Sequence, residues 1–364
     1  IYTAYGPKVK ACGVWISYQR LMSNLPPDNL FTKVISSDPP TNLNIQAKPA
    51  AYFKELPQVF VEEMEVIGYS PCAQKMATKS KIVKSLIYEA VKPSTTCPAH
   101  LTDFVNEQGE AISVNKNGLS KWAQKPHWIA PIVRRNMERV CGTLPYLLGK
   151  ADATFENVVS LDEAINGREG TTQVQIEVET SPGHPYTEMP HKQQGKKEWM
   201  IKDSADSQRA HYHLHPFCMK EVEERLAMAR DNVCKFTVWG DCYKDERRPK
   251  EKVQQGKTRL FCVGPMDLTI SCRQYFMCFA DHLIKNRRRL PVKVGINPDG
   301  QEWKEFWDWL HTNGKFKAIA GDMENFDMSL CAELLYLVSD AILEWFKLNG
   351  STDEENQIRR VLLE

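Results

Sequence analysis

The sequence predicts a helix-rich α+β fold whose segments pass back and forth between sub-domains. Three observations carry that expectation: apolar residues recur at helical spacing over long stretches, short apolar runs between them suit strands, and Pro- and Gly-rich loops punctuate the order. The 364 residues suffice for two or three domains, and 42% apolar with 26% charged residues is the balance of a chain with a full core.

In chain order, residues 1–70 are broken by Pro26-Pro27 and Pro39-Pro40, with one amphipathic stretch at 59–66. A basic extended run occupies 77–85. Residues 119–148 read mostly helical, most strongly over 129–140. The sequence at 180–186 is too rich in Pro and Gly to be anything but a shaped loop, and the polar segment 192–210 is expected to be flexible. Residues 219–232 place Val222, Leu226 and Ala229 on one helical face, 236–239 suit a strand, and 266–284 suit a helix. Arg287, Arg288 and Arg289 stand at the end of that helix, where cations complement its dipole. Residues 316–321 read as a strand. Leu334, Val338, Ile342 and Trp345 then mark a helix that Gly350 stops, and Ser351 with Glu354 suits a capping box for one more.

Net charge is +1, so any basic surface must be local. The eleven cysteines are an odd number without a CxxC pair, which favours reduced, buried thiols of an intracellular protein over a disulfide framework. The longest apolar stretch, 334–346, is interrupted by Asp340 and Glu344, so no transmembrane segment is expected. Ile1 stands where a start Met would, which suggests a processed polyprotein product or a fragment.

Three groups of residues could carry chemistry. The block KDERRPKEKVQQGKTR, at 244–259, sets seven cations against three acids in sixteen residues. Charge alternating with Val253, Thr258 and Leu260 suits an extended hairpin with one cationic face, fit to clamp phosphates. Asp322 and Asp327 follow a short apolar run, and hard oxygen ligands at a strand end suit Mg²⁺ held against phosphates. His211, His213, His215 and Cys218 invite a zinc reading. A surface or template-proximal loop is the plainer one, because a closed tetrahedral site draws ligands from two elements. Trp303, Trp307 and Trp309 read as core rather than as a base-stacking platform.

The order of residues in 244–259 resembles the nucleotide-channel motif, motif F, of picornavirus-like RNA-dependent RNA polymerases. The loop Thr180-Ser181-Pro-Gly183-His-Pro-Tyr186 resembles the same family's template-side fingers loop. Asp322 through Asp327, some sixty residues after the basic block, is similar to the D-x4-D of motif A. The resemblance covers roughly residues 75–348 and implies a right-hand polymerase: fingers at 71–258, palm at 259–350, a second fingers segment from 351 to 364, and 1–70 unassigned.

The resemblance further implies that Lys244, Arg248, Lys252 and Arg259 line the NTP channel and that Thr180, Ser181 and Gly183 meet the template backbone. Asp322 and the Met323 carbonyl would ligate Mg²⁺ (Mn²⁺ is the possible substitute), and Asp327 would sense the ribose 2′-OH. Implied partners are an RNA template and primer, NTPs and other viral replication proteins, at replication complexes in the host cytoplasm. Motif B and the Gly-Asp-Asp of motif C do not occur in the sequence, so the piece alone is expected to be inactive. The alternative is a non-catalytic RNA- or nucleotide-binding protein using the same basic block.

Overall fold

A computed structural model describes residues 79–85, 88, 94–114, 117–118, 129–190, 193–203, 210–290, 292–311, 321, 326 and 330–364, with three strands between 2 and 17. The amphipathic stretch at 59–66, the strand at 316–320 and the residues Asp322, Met323 and Asp327 lie outside the described residues.

Along the chain run β1 (Tyr2–Thr3), β2 (Gly6–Ala11), β3 (Val14–Ser17), β4 (Thr96–Pro98), β5 (Phe104–Val105), β6 (Ala111–Ile112), α1 (Pro131–Leu148), α2 (Leu161–Asn166), β7 (Met200–Lys202) and β8 (Tyr212–Leu214). Then come α3 (Pro216–Arg230), β9 (Trp239–Tyr243), β10 (Arg247–Pro249), α4 (Lys250–Gln254), β11 (Leu260–Val263), α5 (Met266–Asn286), α6 (Gln301–His311), α7 (Ala332–Leu348) and α8 (Asp353–Leu363). Two compact units share these elements discontinuously. The first takes Ile1–Pro126, Pro182–Pro190 and Phe236–Pro265; the second takes His127–Ser181, His191–Lys235 and Met266–Glu364.

The first unit holds a five-stranded sheet in the order β1-β2-β3-β9-β11 and two small two-stranded sheets, β10-β4 and β5-β6. β9 and β11 run antiparallel, Tyr243 opposite Leu260 and Gly240 opposite Val263. These ladder bonds, with those from β3 to Trp239 and Gly240, set the strand at 239–243 rather than at 236–239.

The second unit is helical, with the short antiparallel pair β7-β8. Its core gathers Leu148, Phe279, Leu290, Trp345 and Phe346, with Phe155 and Phe276 against them. The Phe155 and Trp345 rings meet edge-on at 5.2 Å, and Trp345 Nε1 donates to Gly149 O at 2.8 Å. Helix α3 begins with Pro216, its His215 ring accepting from Phe217 N, and ends at Arg230, with Asn232 just beyond it in the left-handed region (φ 58°). The cap of α8 is shifted by one residue from the sequence expectation. Thr352 and Glu355 form the capping box, while Ser351 Oγ donates to Glu355 and receives Arg359.

Three further expectations are corrected. Residues 193–203 are not a loose polar segment: Trp199 and Met200 are buried and β7 runs through them. Trp303, Trp307 and Trp309 are about half exposed, and α6 buries no residue. Spacings of four and six residues put Trp309 on a different helix face from Trp303 and Trp307, so one core could not take all three. Finally, the described cysteines form no disulfide, but only Cys141 and Cys218 among them are buried, and Cys262 is exposed. No described helix is long and apolar enough to cross a membrane.

Candidate functional site

The basic block does not form the extended hairpin that its alternation suggests. Lys244 N still donates to Arg259 O, prolonging the β9-β11 pair by one rung. Beyond it the chain leaves the sheet, pairs β10 with β4, and turns through α4. The reason is parity. Val253 and Thr258 are both buried, yet five residues apart they would face opposite sides of a strand. A helical turn turns Val253 inward, and Gly256, in the left-handed region at φ 64°, reverses the chain so that Thr258 Oγ1 reaches His100 O at 2.6 Å. A Cβ on Gly256 would strike Ile112 and lie 3.0 Å from Asn117 Nδ2.

Ladder bonds and Thr258 shape the block, and some of its charges help to order it. Asp245 accepts from Ser80 Oγ at 2.6 Å and Lys81 N at 2.7 Å, tying the basic run near 80 to this unit. Arg247 is spent on Ser94 and Thr96. Glu246 is the hub: Arg259 grips it with two nitrogens, Lys244 Nζ lies 3.7 Å away and Arg248 Nε 3.9 Å away. The Arg259 hydrogen bonds, with the charges of all three cations, hold its carboxyl below the usual carboxylate range. Arg248 also donates to Lys257 O. Among the described residues no side-chain hydrogen bond or ion pair holds Lys250, Lys252 or Lys257. Of the four cations expected to line a channel, Lys252 is thus free, while Lys244, Arg248 and Arg259 share one carboxylate.

The loop residues fall in both units, Thr180 and Ser181 in the second and Gly183 in the first. Thr180 Oγ1 donates to Glu177 O at 2.9 Å and accepts from Lys196 Nζ, so its hydroxyl proton is already committed. Gly183 is buried at φ 75°, and a Cβ there would strike Gly264 O and lie 2.9 Å from Pro265 Cα. The need for glycine at 183 comes from the protein's own backbone.

The histidine cluster is occupied by protein partners. Asp203 takes His211 Nδ1 at 2.6 Å and His213 Nδ1 at 2.7 Å, Asp162 takes His211 Nε2 at 2.9 Å, and His215 caps α3. Among the described residues no group of three or more His, Cys, Asp or Glu is arranged to hold a metal ion. Glu246, Asp245 and Lys196 escape a reading of the sequence. The two acids look like interruptions of a basic run, and nothing local marks Lys196 as buried.

A family model described as viral RNA-dependent RNA polymerase matches residues 95–364. Replicase polyproteins are similar too. That of Cricket paralysis virus is 31% identical over 340 residues, 90% of this chain and 19% of the relative. That of Drosophila C virus is 34% identical over 286 residues, 77% of this chain and 16% of the relative. The chain spans less than a fifth of these polyproteins. A solved Sicinivirus 3Dpol RNA dependent RNA polymerase superposes with a TM-score of 0.58 at 20% identity, covering 80% of this chain and 56% of that one. At that identity the likeness shows the fold: a partial polymerase, helix-rich α+β.

Proposed function

The chain belongs to the viral RNA-dependent RNA polymerase family, and from that premise we propose that it forms the nucleotide- and template-binding part of an enzyme that adds NTPs to RNA. The observation that carries this reading is the block 244–259. Its backbone is held by ladder bonds, Thr258 and the side chains of Asp245 and Arg247. Lys250, Lys252 and Lys257 have no side-chain partner among the described residues, and three more cations share the Glu246 carboxylate. Such a surplus is the electrostatic surface that a triphosphate and a departing pyrophosphate need. Lys252 gives an unpaired charge. Arg259 presents a planar fork that can move from the Glu246 carboxylate to phosphate, which has the same bidentate geometry.

Thr180, Ser181 and Gly183 form the loop assigned to the template strand. Because the Thr180 hydroxyl proton is held by Glu177 O, contact with RNA there falls to Ser181 and to main-chain N–H groups. Asp322 and the Met323 carbonyl are hard oxygen donors of the kind that suits Mg²⁺, and Asp327 would sense the ribose 2′-OH. When bound, the ion would lower the pKa of a primer 3′-OH and neutralise triphosphate charge. In this reading 71–258 serve as fingers, 259–350 as palm and 351–364 as the return to the fingers. The metal site is completed by carboxylates of a longer polypeptide, since no Gly-Asp-Asp occurs among these 364 residues. Work at host cytoplasmic replication complexes, beside other replication proteins, is part of the same proposal.

The test is primer extension by a polypeptide longer by roughly 150 residues, a domain's worth. Asp322→Asn should abolish turnover and spare RNA binding, whereas Lys252→Ala should raise the KM for NTPs about tenfold, the scale of one charge-assisted bond. Undiminished turnover by Asp322→Asn would overturn the catalytic reading and favour a binding protein built on the same block.

A further inference from the structure

We propose that Lys196 is a positioning residue for the template loop, its ammonium locking the turn that carries Thr180 and Ser181. This rests on the reading of that loop as template-facing. Lysine is almost never buried without a partner, yet Lys196 is 7% exposed. Its Nζ donates to Glu177 O and Thr180 O, each at 3.2 Å, and to Thr180 Oγ1. All three acceptors are neutral oxygens of one four-residue turn. The main chain beside it docks on the same turn, Lys196 N donating to Val178 O at 2.7 Å.

Gly195 makes the approach possible. It sits at φ 71°, and a Cβ there would strike the Val178 carbonyl and lie 2.9 Å from that of Glu179. Burial pushes the Lys196 ammonium down from its ordinary value, so keeping the charge is unfavourable unless those oxygens are held in place. The arrangement is self-consistent in its proton directions. Thr180 Oγ1 gives its hydrogen to Glu177 O and its lone pair to Lys196, so one hydroxyl rotamer satisfies both bonds. Four groups then fix the path of the chain into Ser181: two carbonyls, one hydroxyl and one ammonium.

A buried ammonium could instead serve the fold alone, or reach RNA directly, and the three roles separate experimentally. The 364-residue chain, Lys196→Met and Thr180→Val are compared for binding of a fluorescent single-stranded RNA at several salt concentrations. Hydrogen exchange of 177–186 is measured on the same samples. Both variants should bind about fivefold more weakly, with the salt dependence unchanged and exchange at 178–181 faster. The double variant should lose less than the product of the two single losses, because the bond from Lys196 Nζ to Thr180 Oγ1 is common to both. A salt slope smaller by about 0.7 for Lys196→Met alone would mean a direct phosphate contact and overturn the positioning role. Unchanged affinity with faster exchange would leave Lys196 to the fold and overturn it too. If the unsubstituted chain binds no RNA, the template reading falls. Exchange then still decides whether Lys196 orders the turn, and unchanged exchange overturns that as well.

Discussion

In the first unit Arg259 lies 54% exposed against Glu246, whereas in the second Arg359 is fully buried, its guanidinium 3.7 Å from the Phe346 ring centre. Arg359 donates to Tyr275 O at 3.0 Å, to Asn157 O and to Ser351 Oγ, joining three segments of the second unit through neutral acceptors. Nearby, Arg225 and Asp267 form an ion pair at 2.7 Å, with side chains 5% and 3% exposed. Cations of the same chemistry thus do different work. Where water is excluded, each donor is matched to an acceptor and the charge serves the fold. Around Glu246 three cations share one partly buried carboxylate, and Lys244 and Arg259 reach it from the solvent side, so these two charges can change partner at little cost to the fold.

The comparison breaks first, and hardest, in the second unit. Arg225→Ala should cost about 3–5 kcal/mol in denaturant unfolding, because it strands the Asp267 carboxylate in the interior. Adding Asp267→Leu to Arg225→Met should recover most of that, since apolar groups of similar volume replace a buried pair without its desolvation cost. A loss below about 1 kcal/mol for Arg225→Ala would remove the contrast between the units.

Glu246→Gln tests the other side. Stability should change by only about 1 kcal/mol, because Arg259 and Lys244 meet the carboxylate from solvent, while triphosphate affinity rises severalfold as Arg259, Arg248 and Lys244 lose their competitor. The linkage has a definite sign. The carboxyl of Glu246 is held below its ordinary value, so the pair is fully present above that ordinary value and is lost as pH falls through the lowered one. Titration calorimetry with a nucleoside triphosphate at neutral pH is the measurement, and unchanged affinity would mean that Glu246 does not compete.

The smallest effect is expected at the exposed His211–Asp203–His213 cluster. Asp203 accepts from His211, which raises the imidazole's pKa, and Asp162 adds to it. Asp203 itself is lowered, first by His211 and then by His213. The cluster should therefore hold β7-β8 between the lowered Asp203 value and the raised His211 value, weakening at either end of that window. An imidazole midpoint for His211 at or below about 6.5, read by NMR, would discard the pairing.

Much of the scaffold is legible in the sequence. Helices α3 and α7 can be read from the spacing of Val222, Leu226, Ile342 and Trp345, because an apolar stripe specifies a helix locally. The motif strings at 180–186 and 244–259 can be read as well, and they suffice to suggest the family. Details that depend on a partner distant in sequence cannot. At the cap on Thr352 rather than Ser351, Ser351 Oγ donates to Glu355 while it accepts from Arg359, which is itself held by Tyr275 O and Asn157 O far away in sequence. The turn at α4 is settled by Ile112 and His100, which lie more than a hundred residues away.

By itself, then, the sequence determines the helix-rich α+β class, the family and the inventory of charges, all properties of residue type and local order. Only the tertiary structure decides how those charges are used. Glu246 becomes the hub of three cations, Lys196 is buried beneath Thr180, and Arg359 is held in the core. Each outcome depends on which distant carbonyls, carboxylates and rings the fold brings within about 3–4 Å, where hydrogen bonds and desolvation outweigh any local preference.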